Sequence, residues 1–253
     1  MKLISIELFK LSKKIGVFIL VLGAMIAMAA FFFKTGITQT VIEIGNAQSL
    51  PLALRYSTAQ FFSIFLAVHL ADSITGERAN GSVKLMALRP VTRLQILSSK
   101  ILAAFLMLVI LSLAFVLMSY AIGMAFMGWG DHAVFAGTSY STSEGILLAI
   151  KAYGSSILPL MAFGMISAFI SVVSSAAPVA IAVSASLSLV GQYLSAIPAA
   201  RIFSVIHQTY FFSDYFTKSM NVKEAILSAG ASLAYILVFY ALAAFAFLRK
   251  DMP

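Results

Sequence analysis

Residues 72–100 read DSITGERANGSVKLMALRPVTRLQILSSK and separate two long apolar runs. The segment contains five basic side chains, and Gly76, Gly81 and Pro90 interrupt it. The runs on either side of it carry very little charge. A loop that concentrates charge between apolar runs is predicted to lie outside the lipid, where it is available to water or to another protein.

The composition of the whole chain predicts an all-α integral membrane protein. The 253 residues are 61% hydrophobic and 10% charged, and the mean hydropathy is +1.01. No polar tract is long enough to fold by itself, so residues 1–253 form a single transmembrane domain. The net charge of +8 comes from bases that flank apolar runs, which favours membrane topology over a nucleic-acid partner. The absence of cysteine excludes disulfides and thiolate metal sites.

Six apolar stretches are each predicted to cross about 30 Å of hydrocarbon as a helix. The first stretch continues through three phenylalanines, which favours an uncleaved span over a signal peptide. Pro159 inside the fourth stretch is expected to kink it. The six predicted spans are Ile15–Phe33, Leu54–Ala71, Ile96–Met127, Ile146–Val173, Pro178–Ile197 and Ala225–Leu248.

The basic residues predict the orientation of these spans. Eleven of them lie on the side of the N-terminus and six on the other side, so both termini and residues 72–100 are expected to be cytoplasmic. Residues Lys2–Lys14 place Ile4, Leu8 and Leu11 on one helical face. This pattern fits an amphipathic interfacial helix on the inner leaflet, or equally a simple basic flank of the first span.

The sequence contains no convincing catalytic or metal-binding pattern. Three scattered histidines form no HExxH or comparable motif, and His69 with Asp72 fits an ordinary polar helix end better than a ligand pair. The glycine spacing from Gly76 to Gly81 imitates a phosphate-binding loop, but Ser82 stands where that loop needs lysine. Acidic residues are absent from the middle of the predicted spans, which disfavours ion-coupled transport.

A stripe of small, weakly polar residues runs along the fifth predicted span. Ser184, Ser188, Gly191 and Ser195 recur at helical spacing, with the amide of Gln192 beside them. Small residues let helices approach closely, so helix packing is the first interpretation of this stripe. The second is a translocation pathway lined by Ser184, Ser188, Gln192 and Ser195, because a buried amide needs partners.

The segment before the last span is rich in aromatic residues. Its candidate site residues, which would form an outer gate or interface, are His207, Tyr210, Phe211, Phe212 and Tyr215. Short helices dipping into the outer leaflet would present such side chains well. An aromatic belt without substrate contact is the simpler alternative.

The charged loop resembles the loop between the second and third spans of type-2 ABC (ATP-binding cassette) transporter permeases. Gly81 permits a sharp entry and Pro90 disfavours helix before it, so a short helix is predicted over Ser82–Arg89. In the family this coupling helix docks on a separate ATPase subunit. The motif positions that match here are Glu77, Gly81, Ser82, Leu85, Pro90, Arg93 and Lys100. The coupling residues implied by the resemblance are Glu77, Arg78, Gly81, Ser82, Lys84, Leu85, Leu88, Arg89, Pro90 and Arg93.

The resemblance implies the membrane subunit of an ATP-driven exporter in a bacterial plasma membrane, without catalytic activity of its own. Its expected partners are two ABC ATPase subunits that hold ATP and magnesium, a second identical or homologous permease, and membrane lipids. The second and fifth spans would line the pathway. Because the spans offer no fixed charge, an amphipathic or hydrophobic substrate is expected: a peptide antibiotic, a lipid or a drug.

Two alternatives belong to other functional classes. The first is an ion-coupled secondary transporter, which would need an essential ionisable residue inside a span. The second is a membrane-embedded enzyme, for which Asp131, His132 and Glu144 form the candidate outer cluster.

Overall fold

The computed structural model describes residues 2–35, 46–77, 91–191, 193, 197–218 and 222–250, and these are mostly helical. The helices are α1 (Lys2–Thr35), α2 (Leu50–Ala53), α3 (Arg55–Ala71), α4 (Arg93–Met127), α5 (Thr142–Val173), α6 (Ala177–Gly191), α7 (Pro198–Phe203), α8 (Val205–Phe211), α9 (Asp214–Thr217) and α10 (Val222–Arg249). A π-helical turn, Asp72–Gly76, continues α3, and β1 (Ala133–Phe135) pairs with β2 (Thr138–Tyr140).

Five helical segments are long and apolar enough to cross a membrane: Ile4–Thr35, Arg55–Gly76, Arg93–Met127, Thr142–Val173 and Val222–Arg249. They coincide with five of the six predicted spans, so the prediction of an all-α membrane protein is confirmed at this level. The fifth predicted span, Pro178–Ile197, corresponds to α6, which ends at Gly191. Its 15 residues extend about 22 Å at 1.5 Å per residue, and residues 192 and 194–196 of that predicted span lie outside the described residues.

The boundaries of the first two spans also differ from prediction. No separate interfacial helix precedes the first span, because α1 runs unbroken from Lys2 to Thr35. The second span is longer than predicted, since the π-helical turn carries it on to Gly76. The helix of the fourth span continues through the buried Pro159.

A β-hairpin between α4 and α5 was missed by the sequence analysis. Its strands pair Ala133 with Tyr140 and Phe135 with Thr138 around a two-residue turn. The turn residues Ala136 and Gly137 both have positive φ, 52° and 77°, as a type I′ turn requires. Alanine is rare at a position with positive φ, so the residue types at 136 and 137 do not match the usual pattern of a type I′ turn.

The helices pack around an apolar core and leave a broad apolar surface. The most extensive contacts join α1 to α4 and α10 to α5, and α3 packs between α5 and α6. On the outside, large side chains such as Leu20 (70% exposed), Leu117 (69%) and Leu237 (71%) face away from the core. A continuous exposed apolar surface of this kind is suited to lipid.

The two ends of the molecule differ. We call the end where the second span ends and α4 begins the loop end; α1 begins there and α10 ends there. The opposite end, which contains the β-hairpin, α2 and α7–α9, is the hairpin end. There the carbonyls of Gly130 and His132 accept hydrogen bonds from Gln48 and Asn46.

Candidate functional site

Four charged side chains meet inside the loop end, and we call them the charged cluster: Glu7, Lys10, Glu77 and Lys100. The Lys100 ammonium lies 2.6 Å from Glu77 Oε2 and 3.5 Å from Glu7 Oε1. Lys10 Nζ completes the ring, at 2.8 Å from Glu77 Oε1 and 3.2 Å from Glu7 Oε1. The two positive and two negative charges balance, which permits their burial.

Lys100 is the centre of the cluster because it is only 1% exposed. It stands in the second turn of α4, after a helix start that is fixed by a capping box. The Thr92 side chain accepts a hydrogen bond from the Gln95 backbone, and the Gln95 side chain accepts one from the Thr92 backbone. The capping box fixes where α4 begins. It thereby fixes the position along α4 at which Lys100 contacts α1 and the second span.

Glu77 is the C-cap residue of the π-helical turn that ends the second span. Burial by itself would raise the pKa of the Glu77 carboxyl, but the charges of Lys100 and Lys10 and their hydrogen bonds outweigh burial and lower it. Glu77 is therefore a carboxylate at neutral pH. The preceding π-helical turn is itself attached to α5, since the Thr75 hydroxyl donates to the Ser171 carbonyl.

A second set of contacts at the loop end joins the ends of α4, α5 and α10. The Arg93 guanidinium donates to the carbonyls of Leu248 and Lys250, both at 3.3 Å. The Lys250 ammonium in turn donates to the last carbonyls of α5, including Val172 and Val173 at 2.8 Å. The last carbonyls of a helix commonly lack an acceptor role within the helix, and a cation at that end interacts favourably with the helix dipole.

Of the predicted coupling residues, Glu77 and Arg93 lie within the described part of the chain. Both flanks of the charged loop are described and both are anchored, Glu77 in the charged cluster and Arg93 on the end of α10. The predicted coupling helix, Ser82–Arg89, lies outside the described residues. So do the coupling candidates Arg78, Gly81, Ser82, Lys84, Leu85, Leu88, Arg89 and Pro90.

His69 and Asp72 do not act as a pair. Asp72 forms an ion pair with Lys14, in which both side chains are about half exposed. His69 is buried and stacks on Phe65, with ring centroids 6.0 Å apart. Within the described ranges no group of three His, Asp or Glu side chains is placed to hold a metal ion.

The predicted pathway residues Ser184 and Ser188 lie on the buried face of α6. They are 1% and 0% exposed, on the side of α6 that packs against α3. Ser188 Oγ lies 3.5 Å from Gln60 Oε1 and 3.4 Å from the Tyr210 hydroxyl. The neighbouring residues Val183 and Leu189 of α6 are exposed. Gln192 and Ser195 lie outside the described residues.

The five candidate gate residues of the outer segment contact one another over α8 and α9, whereas Phe203 and Phe216 of the same segment are exposed. His207 stacks on Phe211 at 4.6 Å between centroids, and Phe212 lies 5.9 Å from Tyr215. Tyr210 and Phe212 are buried, at 5% and 3% exposed. Burial, reinforced by the Arg201 charge, lowers the pKa of His207. The ring is therefore neutral at pH 7.

Arg55 and Asp214 form an ion pair at the hairpin end that sequence analysis missed. Arg55 Nη2 lies 3.1 Å from Asp214 Oδ1, and the Tyr56 hydroxyl donates to Asp214 Oδ2 at 3.0 Å. The guanidinium is also in cation–π contact with Tyr56 and Phe135, at 4.1 and 4.7 Å from the ring centroids. The signal was present in the sequence: Asp214 is the single acidic residue between Glu144 and Glu224.

Glu7 is the second residue whose role was missed. It is the one acidic side chain before Glu43, and its contacts with Lys10 and Lys100 place it in the charged cluster. By contrast, Glu144 from the candidate enzymatic cluster caps α5, accepting hydrogen bonds from the Ser141 backbone and hydroxyl.

Comparison with known families gives one clear result. The sequence model of the family described as "ABC-2 family transporter protein" matches residues 3–188. This range includes the charged cluster, the flanks of the charged loop and the first five membrane-associated helices α1, α3, α4, α5 and α6. No curated protein sequence matches the chain.

Proposed function

We propose that this chain, which belongs to the ABC-2 family of transporter proteins, is the permease subunit of an ATP-driven exporter. Membership makes it a membrane transport subunit that associates with an ABC ATPase. The proposal adds the direction of transport, the position of the coupling element and the class of substrate. ATP and magnesium would bind to two partner ATPase subunits, and the chain would pair with a second permease.

The observation that carries the proposal is the charged cluster. Glu77 holds the end of the second span to Lys100 at the start of α4, and Glu7 holds α1 to the same ammonium. Arg93 ties the other flank of the loop to α10. A force applied to residues 78–90 would therefore be passed to four membrane helices together. This is what a coupling element between an ATPase and a permease requires.

The proposed orientation places the loop end in the cytoplasm, where the ATPases bind. The excess of basic residues at that end supports it, and the aromatic segment at the other end suits an outer interface. In this arrangement α6 is a sixth, short span. Its partner in the pathway would be the exposed side of α3, with Ser57 and Ile64 on one helical face.

The substrate is proposed to be an amphipathic or hydrophobic molecule such as a peptide antibiotic, a lipid or a drug. Arg55 near the outer surface is neutralised by Asp214, and the charges of the charged cluster pair with one another. Neither group leaves a fixed charge for a small ion. A polar but uncharged pathway favours molecules that already partition into the bilayer.

The test is a reconstituted system of the chain with the ATPase encoded beside it. Glu77→Gln keeps the shape of the side chain and removes its charge. We expect ATP hydrolysis to become uncoupled from transport while the permease still inserts and retains the ATPase. The matched control is Asp72→Asn, which removes a carboxylate at the same end whose ion pair is half exposed.

Three results would contradict the proposal. The first is that no ATPase co-purifies. The second is that transport survives when the phosphate-binding lysine of the ATPase is replaced by alanine, as an ion-coupled transporter predicts. The third is that Glu77→Gln and Asp72→Asn couple equally well, which would remove the charged cluster from the mechanism.

A further inference from the structure

A cavity of about 520 Å³ lies at the hairpin end, between the start of α3, the end of α6 and α8. Its volume falls within the range of sites that hold drug-sized ligands. Ser57 and Leu189 on its lining are exposed, so the cavity is open on that side. The lining residues are Tyr56, Ser57, Gln60, Leu189, Tyr210 and Phe211.

Among the described residues that line the cavity, none carries a charged side chain. The nearest charge, on Arg55, is held by Asp214 at 3.1 Å and covers the Tyr56 ring at 4.1 Å from its centroid. A cationic ligand would be repelled by this guanidinium. It could not form a cation–π contact with the face of Tyr56 that the guanidinium already covers. An anionic ligand would have to give up its hydration in a site without a free cation among the lining residues. The chemistry of the lining therefore fits an uncharged molecule.

Gln60 is the polar group that the protein leaves unsatisfied. Its Oε1 lies 3.5 Å from Ser188 Oγ, whereas its buried Nε2 has no hydrogen-bond partner in the described part of the chain. A buried amide donor without an acceptor is costly, and a ligand that supplies an acceptor recovers that cost. A carbonyl oxygen is such an acceptor.

We propose that this cavity binds an uncharged amphiphile through a carbonyl oxygen, with Gln60 as the donor. The apolar or aromatic part of the ligand would lie against Tyr56, Tyr210 and Phe211. The inference rests on the proposed function, in which such molecules are the cargo. It assigns their recognition to one protomer at the hairpin end and to a single hydrogen bond.

The experiment uses the full chain in phosphatidylcholine nanodiscs and three photoreactive diazirine probes of equal chain length. One probe is a secondary amide, the second a plain hydrocarbon and the third a fatty acid carboxylate. Crosslinked residues are located by mass spectrometry, and apparent Kd values are taken from labelling against probe concentration. We expect saturable labelling of the cavity lining by the amide probe, and weaker labelling there by the carboxylate.

Two variants test the role assigned to Gln60 and to the cavity. Gln60→Leu should raise the apparent Kd of the amide probe roughly three- to tenfold, the effect of one hydrogen bond, and leave the hydrocarbon probe unchanged. A polar-to-apolar substitution at the loop end, Lys14→Met, removes only a half-exposed ion pair and should change neither. Leu189→Trp fills the cavity from an exposed position. It should reduce labelling of the cavity by the amide probe and by the hydrocarbon probe.

The proposal is overturned if the amide probe labels other residues, if the carboxylate binds as well as the amide, or if Gln60→Leu has no effect. Because no ATPase is present, these outcomes leave the coupling function untouched. Conversely, specific labelling of the cavity in a chain that recruits no ATPase would sustain the site and reject the proposed function.

Discussion

The charged cluster at the loop end and the Arg55–Asp214 region at the hairpin end both contain ion pairs, but they differ in how completely the nearby polar groups are paired. At the loop end Lys100 is 1% exposed and lies near two carboxylates. At the hairpin end Arg55 and Asp214 are 10% and 22% exposed in their side chains, beside a cavity with an unsatisfied amide. The first arrangement is fully paired and resists rearrangement. The second lies beside the unpaired amide donor of Gln60, which a ligand could use.

The comparison also concerns what each region joins. The charged cluster connects α1, the end of the second span and α4, which are long helices. The Arg55–Asp214 pair connects α3 to α9, which has four residues. Movement of the loop end therefore involves whole helices, whereas the hairpin end can change locally. This difference suits one end to receive a force and the other to admit a ligand.

The largest expected effect is that of Lys100→Met. The substitution keeps an apolar stem and leaves Glu7 and Glu77 facing each other with only Lys10 between them. Loss of one partner from a buried ionic group costs about 3–5 kcal/mol, so thermal unfolding in detergent should move to a much lower temperature. Lys14→Met is the control, because its pair with Asp72 is half exposed and worth about 0–1 kcal/mol. Equal shifts for the two variants would refute the buried cluster.

An intermediate effect is expected for Asp214→Asn. The variant loses charge-assisted hydrogen bonds from Arg55 and Tyr56, worth about 1.5–3 kcal/mol in a buried setting and less here because the pair is partly exposed. The check is hydrogen exchange over α8 and α9, which should become faster while α4 is unchanged. Lys218→Gln serves as the comparison, since Lys218 is 43% exposed. A change of similar size in that variant would mean that Arg55 is not the important partner.

The smallest effect distinguishes the two capping boxes. Thr92→Ala removes the cap of α4 at the loop end, and Ser141→Ala removes the equivalent cap of α5 at the hairpin end. Each should cost about 1 kcal/mol of stability, measured by thermal unfolding. Only Thr92→Ala should also reduce the coupling of ATP hydrolysis to transport, because it loosens the turn that positions Arg93 and Lys100. Equal coupling in both variants would argue against a special role for the loop end.

Much of the fold followed from hydropathy, and its errors have physical causes. Five candidate membrane helices overlap five predicted spans, because long apolar runs without charge have few alternatives to a membrane helix. The predicted fifth span extends to Ile197, whereas α6 is described only as far as Gly191, so its outer end stays a prediction. The hairpin was missed because Ala136 gives no warning of its positive φ. Local composition does not report these backbone choices.

The candidate site was predictable only in part. The loop motif directed attention to Glu77, Arg93 and Lys100, and all three make side-chain contacts at the loop end. Their part in coupling stays a prediction. Glu7 and Asp214 could have been noticed as isolated acids, but their partners lie 93 and 159 residues away in the chain. A single sequence does not encode such distances. The coupling helix itself remains a prediction.

The sequence by itself determined that this protein lies in a membrane, that a charged loop leaves it after the second span, and that the chain resembles a transporter permease. These features depend on hydrophobic transfer and on local motifs, both of which are properties of short segments. The tertiary structure decided which charges neutralise one another and which polar atom stays unpaired. Those depend on burial and on distances of a few ångströms between segments far apart in sequence, where desolvation makes each unpaired group count.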